Sequence, residues 1–370
     1  MRLSTLCVTV FWLLGVGVAQ GQDGFAGASV SAVRRASAEV PAADSCAAAG
    51  GQTGVTASLS DQIPAGLDPE CAATAWDECV CGPRWSATLD AMFLQRRTPR
   101  ATLLMVNNKL PEQNLNAADF QFGFDAGLDV SVTRQSTNGP GIEFRYFGVE
   151  PWNATTTTPT TVGDWLTINT ARLFEKEAGN TIDARCRAEL QNFEINGRLP
   201  LHERLTMLVG FRYLELDERF DATLPGAEIP FAYEAITRNR LYGVQFGGQA
   251  VVWDVGGPLS IEGVGKAGVF ANCAAQDSAF RIVPPIGPEN VASAHGQANS
   301  TAFVGELGLQ ANYHLTERLS LRGGYRLLWV DGVALATDQV GVSDFIFGRG
   351  LDASGDAFYH GAFVGLQYVR

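Results

Sequence analysis

The sequence predicts an all-β fold: a single closed antiparallel up-and-down transmembrane β-barrel of about ten strands, with twelve as the alternative. Three observations carry that prediction. First, one sixteen-residue phrase occurs twice, as LHERLTMLVGFRYLEL from Leu201 to Leu216 and as LTERLSLRGGYRLLWV from Leu315 to Val330. Each copy reads as a short turn followed by a strand with two-residue alternation. In the first, Leu205, Met207, Val209, Phe211 and Tyr213 share a face opposite Thr206, Leu208, Gly210, Arg212 and Leu214. In the second, Leu319, Leu321, Gly323, Tyr325, Leu327 and Trp329 oppose Ser320, Arg322, Gly324, Arg326 and Leu328. An apolar, aromatic-ended face opposite a small or charged one suits a strand with lipid outside and a packed polar lumen inside. Second, short and long connections alternate along the chain. Third, beyond the first twenty residues no apolar run reaches the length a membrane helix needs. Charged residues are only 18% of the 370 and glycines number 41, against a charged share of about 25% in ordinary globular chains.

Residues 1–21 have the pattern of a secretory signal peptide: Arg2, an apolar stretch over Leu6–Val18, and small residues at Ala19-Gln20-Gly21. Gln22–Pro83 is an Ala/Gly/Ser-rich leader with no sustained periodicity, expected to be disordered apart from a small disulfide clip. Its four cysteines are Cys46, Cys71, Cys79 and Cys81. They lack the paired C-x₂₋₄-C spacing and the histidine of a zinc site, so disulfides are the expectation. With Cys186 and Cys273 they make six thiols in an exported chain, and the sequence leaves their connectivity open.

The barrel is expected over residues 84–370. Ten strands are predicted at Trp85–Gln95, Asp119–Thr133, Gly141–Glu150, Arg185–Leu199, Leu205–Glu215, Arg240–Trp253, Leu259–Phe270, Ala302–Leu315, Leu319–Val330 and Ala357–Val369. Short turns fall at Asn138–Pro140, Pro200–Arg204, Asp254–Pro258 and Thr316–Arg318. Long loops fall at Arg96–Ala118, Pro151–Ala184, Leu216–Asn239, Ala271–Thr301 and Asp331–Asp356. Outer-membrane barrels have short periplasmic turns and long outer loops. Ten strands place all five long loops on one side. Trp165–Phe174, paired with residues near Lys176–Asp183, would make twelve.

The register aims polar side chains inward. The lumen-lining set is Asp125, Asp129, Glu194, Arg212, Glu262, Lys266, Glu306, Arg322 and Arg326, accompanied by Asp90, Glu143, Arg145, Asn192, Gln245, Gln249 and Gln310. Ten strands lie close to the size that side chains fill, so these charges must pair. Glu194 is expected beside Arg212, and Glu306 beside Arg326. An inert salt-bridged core and a narrow charge-lined pore both fit. Trp85, Tyr146, Trp152, Tyr213, Tyr242, Trp253, Tyr313, Tyr325, Trp329 and Tyr368 fall near strand ends, where interfacial aromatics concentrate.

Catalytic motifs are lacking: there is no G-x-S-x-G, H-E-x-x-H or phosphate-binding loop. Of the four histidines, His202 and His314 lie at periplasmic turns, His295 in a long loop, and His360 near the outer end of a strand. No catalytic residue, metal ligand or cofactor is predicted. A net charge of −12 argues against nucleic acid as a partner.

The phrases FEINGRLPLHERLTMLVGFRYLELDE, RNRLYGVQFGGQAVVWDVGGPLSIEGVGKAGVF, ANYHLTERLSLRGGYRLLWVDGVALA and FYHGAFVGLQY resemble a family of predicted outer-membrane β-barrel proteins recurrent in planctomycetes. The resemblance spans about Trp85 to Arg370 and implies a barrel in the outer membrane but no activity. The expected partners are then the outer-membrane bilayer and the barrel-assembly machinery. The final Tyr368-Val369-Arg370 departs from the aromatic ending usual in assembly signals. The function expected is a non-enzymatic barrel, structural or a narrow pore. A surface adhesin or ligand-binding barrel acting through its outer loops, and an outer-membrane hydrolase, are the other classes.

Overall fold

The computed structural model describes residues 84–107, 114–136, 139–159, 165–168, 171–174, 181–224, 230–282 and 286–370. The expected signal peptide and leader, with Cys46, Cys71, Cys79 and Cys81, lie outside these residues.

Alternating apolar and polar side chains build ten barrel strands: β1 (Arg84–Arg96), β4 (Phe124–Gln135), β5 (Gly141–Pro159), β8 (Thr181–His202), β9 (Leu205–Leu224), β10 (Phe231–Asp254), β11 (Leu259–Ile282), β12 (Asn290–His314), β13 (Leu319–Val333) and β14 (Gly355–Val369). Every neighbouring pair is antiparallel, and β1 pairs with both β4 and β14, which closes the sheet. Closure leaves no ring edge to attract another strand. The twelve-strand alternative is therefore corrected to ten. Trp165–Phe174 is not one barrel strand: Trp165–Ile168 (β6) and Ala171–Phe174 (β7) pair with each other and join Leu103–Asn107 (β2) and Leu115–Asn116 (β3) in a separate four-stranded sheet.

Outside, the strands carry an apolar belt. It includes Leu89 and Phe93 on β1, Leu128 and Val132 on β4, Val209 on β9, Phe246 on β10, Leu307 and Leu309 on β12, and Val364 and Leu366 on β14, all exposed. Inside, at the same level, are Asp90, Asp129, Glu194 and Arg212, all buried. On β1 the belt runs from Trp85 to Phe93, the length of a tilted transmembrane strand.

Towards the long-loop end this polarity inverts. Along β9 the outward residues change from Leu205, Met207 and Val209 to Glu215, Asp217, Arg219 and Asp221. The inward ones change from Thr206, Gly210 and Arg212 to Leu214, Leu216, Phe220, Ala222 and Leu224. Strands β8 to β12 run for 20 to 25 residues, against 12 to 15 for β1, β4, β13 and β14. One side of the barrel thus continues past the membrane as a water-soluble wall with an apolar inner face.

This extension corrects three expectations. The supposed loops Leu216–Asn239 and Ala271–Thr301 are mostly strand, with connections only at 225–230 and 283–289. The strand expected from Asp119 begins only at Phe124, and Phe120 and Phe122 precede it, buried in the interior. Trp152 is fully buried too, its indole donating 2.8 Å to the Leu94 carbonyl, and so is no interfacial anchor.

The repeat copies hold equivalent places. A Cβ on Gly210 would collide with the Ile195 carbonyl, and one on Gly324 with the Leu309 carbonyl. The shared glycine brings the neighbouring strand close, just before the inward arginine of each copy.

The inversion predicts opposite responses to a charge on one strand. Val209→Arg, in mid-belt, should cost about 2–4 kcal/mol of folding into lipid vesicles. Thr223→Arg, outward but beyond the belt, should stay within about 0.5 kcal/mol. Denaturant titration of both variants in vesicles checks this.

Candidate functional site

Inward charges from eight strands meet in one network across the lumen. Arg145 on β5 stands at its centre. Its guanidinium donates to both Asp129 oxygens at 2.9–3.1 Å, to Glu194 Oε1 at 3.0 Å and to Glu306 Oε1 at 2.8 Å. Arg326 donates to Asp129 Oδ2 at 2.6 Å and lies 3.3 Å from Glu306. Arg212 donates to Glu306 Oε2 at 3.0 Å and to Asn192 Oδ1 at 2.5 Å. Lys266 Nζ donates to Glu194 Oε2 at 2.7 Å. The Phe147 ring faces three of these cations, its centroid 4.9, 5.9 and 6.0 Å from the guanidinium carbons of Arg145, Arg212 and Arg326. Such cation–π contacts suit guanidinium groups shed of water.

A second tier lies nearer the short-turn end. Arg198 donates 2.5 Å to Glu143 and 2.7 Å to Gln249. Gln249 and Gln310 donate to Glu262 Oε2 at 2.6 and 2.7 Å, and Arg322 donates to Gln310 at 2.7 Å while lying 3.4 Å from Asp90. Across both tiers the cations Arg145, Arg198, Arg212, Lys266, Arg322 and Arg326 match the acids Asp90, Asp129, Glu143, Glu194, Glu262 and Glu306 one for one. Buried charge persists only when paired and hydrogen-bonded, and balance by number is how this lumen meets that demand. A polar cavity of about 150 Å³, large enough for about five waters, runs from Ser86, Ser131 and Gln367 up to the network and is bordered by Arg145, Lys266, Glu306 and Arg326 themselves.

Eight of the nine lumen residues named from sequence join these tiers. Asp125 does not. It lies half-buried at the loop end of β4, opposite Leu94, and makes no ion pair with them among the described residues. Both expected within-hairpin pairs lie within salt-bridge reach, Arg326–Glu306 at 3.3 Å and Arg212–Glu194 at 3.9 Å, and each arginine has a closer acid on a strand outside its hairpin. Arg212 is 3.9 Å from Glu194 but 3.0 Å from Glu306, three strands away. Alternation identifies Arg145 as inward but not as the hub, because its acids are up to 161 residues distant in the chain.

Above the network the lumen is apolar. Phe147, Leu214, Leu241, Phe270, Val304 and Leu328 are all buried there. The connection after β13, residues 334–354, folds into the space and buries Leu335, Ala336 and Val340. Polar residues on this inner wall meet its backbone. Asn239 donates to and accepts from Ala334 at 2.8 and 2.7 Å, Glu218 accepts from Ala336 N at 3.1 Å, and Gln276 donates to Gly350 O at 2.6 Å. Glu218 is itself paired with fully buried Arg96. Cys186 is a buried free thiol on this inner wall, while Cys273 faces outward on β11.

His295 lies on β12 instead of in a long loop, its Nδ1 2.7 Å from Asp277 Oδ1 on the exposed outer surface. His360 Nδ1 is 2.6 Å from the Tyr325 hydroxyl. No group of three or more metal-ligating side chains occurs among the described residues.

The sequence matches no protein-family model and no curated protein. Among solved structures it is similar to the toluene transporter TodX of P. putida (9% identity, 78% of this chain, 90% of that one, TM-score 0.27). A FadL homologue of Pseudomonas aeruginosa matches at 10% identity over 78% and 90%, TM-score 0.27. An anion-selective porin from Comamonas acidovorans matches at 9% over 77% and 98%, TM-score 0.16. Likeness at this level assigns no family and no solute.

Removing a shared acid should be costly. Glu306→Ala takes one acid from Arg145 and Arg326, leaves Arg212 only Glu194 at 3.9 Å, and should destabilise the barrel by roughly 3–5 kcal/mol in denaturant titration. A pH effect is expected in the lumen-filling connection. There the Asp338 carboxyl is pushed up to about 6 by burial, with Glu218 and Asp352 adding to the effect. A raised carboxyl stabilises the docked state below the ordinary value near 3.8, and that contribution is lost as pH rises through 6. Protection factors across 334–354, taken relative to intrinsic exchange at each pH, should therefore be higher at pH 4.5 than at pH 7.5, and Asp338→Asn should flatten the difference.

Proposed function

We propose that this is a non-enzymatic outer-membrane β-barrel protein with a lumen held shut, a structural barrel and not a standing pore. The observation that carries the reading is the burial of the hub. Glu194 is 0%, Arg212 1% and Arg145 6% exposed, with the apolar tier and the docked connection stacked above them. A conducting path must be hydrated along its whole length; the cavity reaches the network from the short-turn side, and the buried apolar tier of Phe147, Leu214, Leu241 and Phe270 above it supports closure. The apolar belt and the sorting of short turns to one end support placement in an outer membrane. The resemblance to planctomycete barrel proteins supports the same reading. The His295–Asp277 pair is exposed on the outer wall with Arg238 3.9 Å from the same carboxylate, an arrangement that does not favour a hydrolase.

One observation favours a binding role at the outer end. Asp344 Oδ1 accepts from the amides of Ile346 and Phe347 at 3.0 and 3.1 Å, holding two side chains that are 88% and 71% exposed. Fixed exposed apolar residues are a feature of contact surfaces.

In planar bilayers the wild-type barrel should be silent. Removing residues 334–354 should leave it silent, because the ion network still closes the lumen. Steady wild-type conductance whose ion selectivity inverts on charge reversal at Arg326 would establish the narrow pore instead.

A further inference from the structure

The barrel wall carries a groove of about 570 Å³ on its outer surface, where the β4–β5 ladder ends. The ladder stops at the Gly127–Val149 pair, and β5 then shifts register between Val149 and Trp152. Two features shape the groove. Its apolar wall is Leu128, Tyr146, Gly148 and Val149, continuous with the exposed belt through Leu128 (48% exposed) and Tyr146 (44%). Gly148 presents no side chain there, and a Cβ on it would come within 3.0 Å of the Tyr146 hydroxyl. Its upper rim is polar, with Glu150, Glu189 and Gln191, and Gln191 donates 3.0 Å to Glu189 Oε1. Neither rim carboxylate has an ion-pair partner among the described residues. Asp125 lies within electrostatic range of Glu150 and adds to the negative field.

An apolar slot that opens sideways from the belt and ends under two carboxylates matches one class of ligand. We propose that it binds a bilayer lipid with an amine-bearing headgroup, its acyl chain along Leu128 and Tyr146 and its ammonium between Glu150 and Glu189. The site rests on the bilayer placement above. The occupant is a lipid because the slot opens into the zone that lipid chains fill. The headgroup is cationic at its tip because unpaired carboxylates beside a low-dielectric phase attract cations and repel anionic lipids.

The test uses the full chain in nanodiscs of equal phosphatidylethanolamine and phosphatidylglycerol, with native mass spectrometry of lipids retained after extraction. Phosphatidylethanolamine should be enriched roughly two- to fivefold over phosphatidylglycerol, the worth of one exposed ion pair. Glu150→Lys/Glu189→Lys should reverse the preference. Gly148→Leu, which narrows the slot, should lower retention of both lipids. Circular dichroism and protease protection of the same samples report insertion. An uninserted chain would overturn the membrane reading itself. An inserted barrel with no headgroup preference, or one favouring phosphatidylglycerol until a chelator removes divalent cations, would overturn the amine-lipid site alone.

Discussion

The Arg145 guanidinium is the contact on which the rest of this barrel depends. It joins acids on its two neighbouring strands, β4 and β8, to Glu306 on β12, which lies across the ring. In a ten-strand ring the lumen is narrow enough for one long side chain to reach across it. A closed sheet can still breathe or shear, and ion pairs confined to single hairpins would not resist that. Bonds spanning 16, 49 and 161 residues of sequence tie the circumference together. The near-zero exposure of the partners makes these bonds strong and makes their loss costly.

The geometry of the transmembrane half is legible in the sequence because lipid imposes a two-residue period. Alternation alone puts ten strands in the right order with the right faces, and the repeat fixes the inward direction of Arg212 and Arg326. The register found in β9 and β13 is the one the alternation implies. The extramembrane half is less legible for a physical reason. Its outer face is charged and its inner face apolar, so each long strand changes polarity in mid-course. A search for apolar-out alternation stops at the crossover, near Tyr213 on β9, and gives the remainder of the strand to a loop. Phe120 and Phe122 mislead for a related reason. Their spacing suits the lipid face of β4, but they precede the strand and pack inside.

The network is legible only in part. Alternation says which charges point inward; it does not say which strands lie opposite one another across the lumen. Arg145 sits in GIEFRYF, a strand as ordinary as its neighbours, and becomes the hub through the closure of the ring. Glu306 is shared by Arg145, Arg212 and Arg326, whereas hairpin logic gives it one partner. Pairing within a hairpin is the natural expectation because it ignores curvature, and curvature is what brings Glu306 to Arg212.

Two different solutions close the two halves of one lumen. Inside the belt the wall must show lipid an apolar face, alternation then turns polar groups inward, and charge balance fills the centre. Beyond the belt the wall must show water a polar face, the same alternation turns apolar groups inward, and a chain segment is needed to cover them. The connection 334–354 supplies that cover, with Asn239, Glu218 and Gln276 serving its backbone amides and carbonyls where an apolar wall alone would leave them unsatisfied. The period of two therefore dictates both plugs. Where the environment outside the strand changes, the filling inside changes with it, and the buried Arg96–Glu218 pair, whose carboxylate also receives Ala336 N, marks where the wall and its cover are joined.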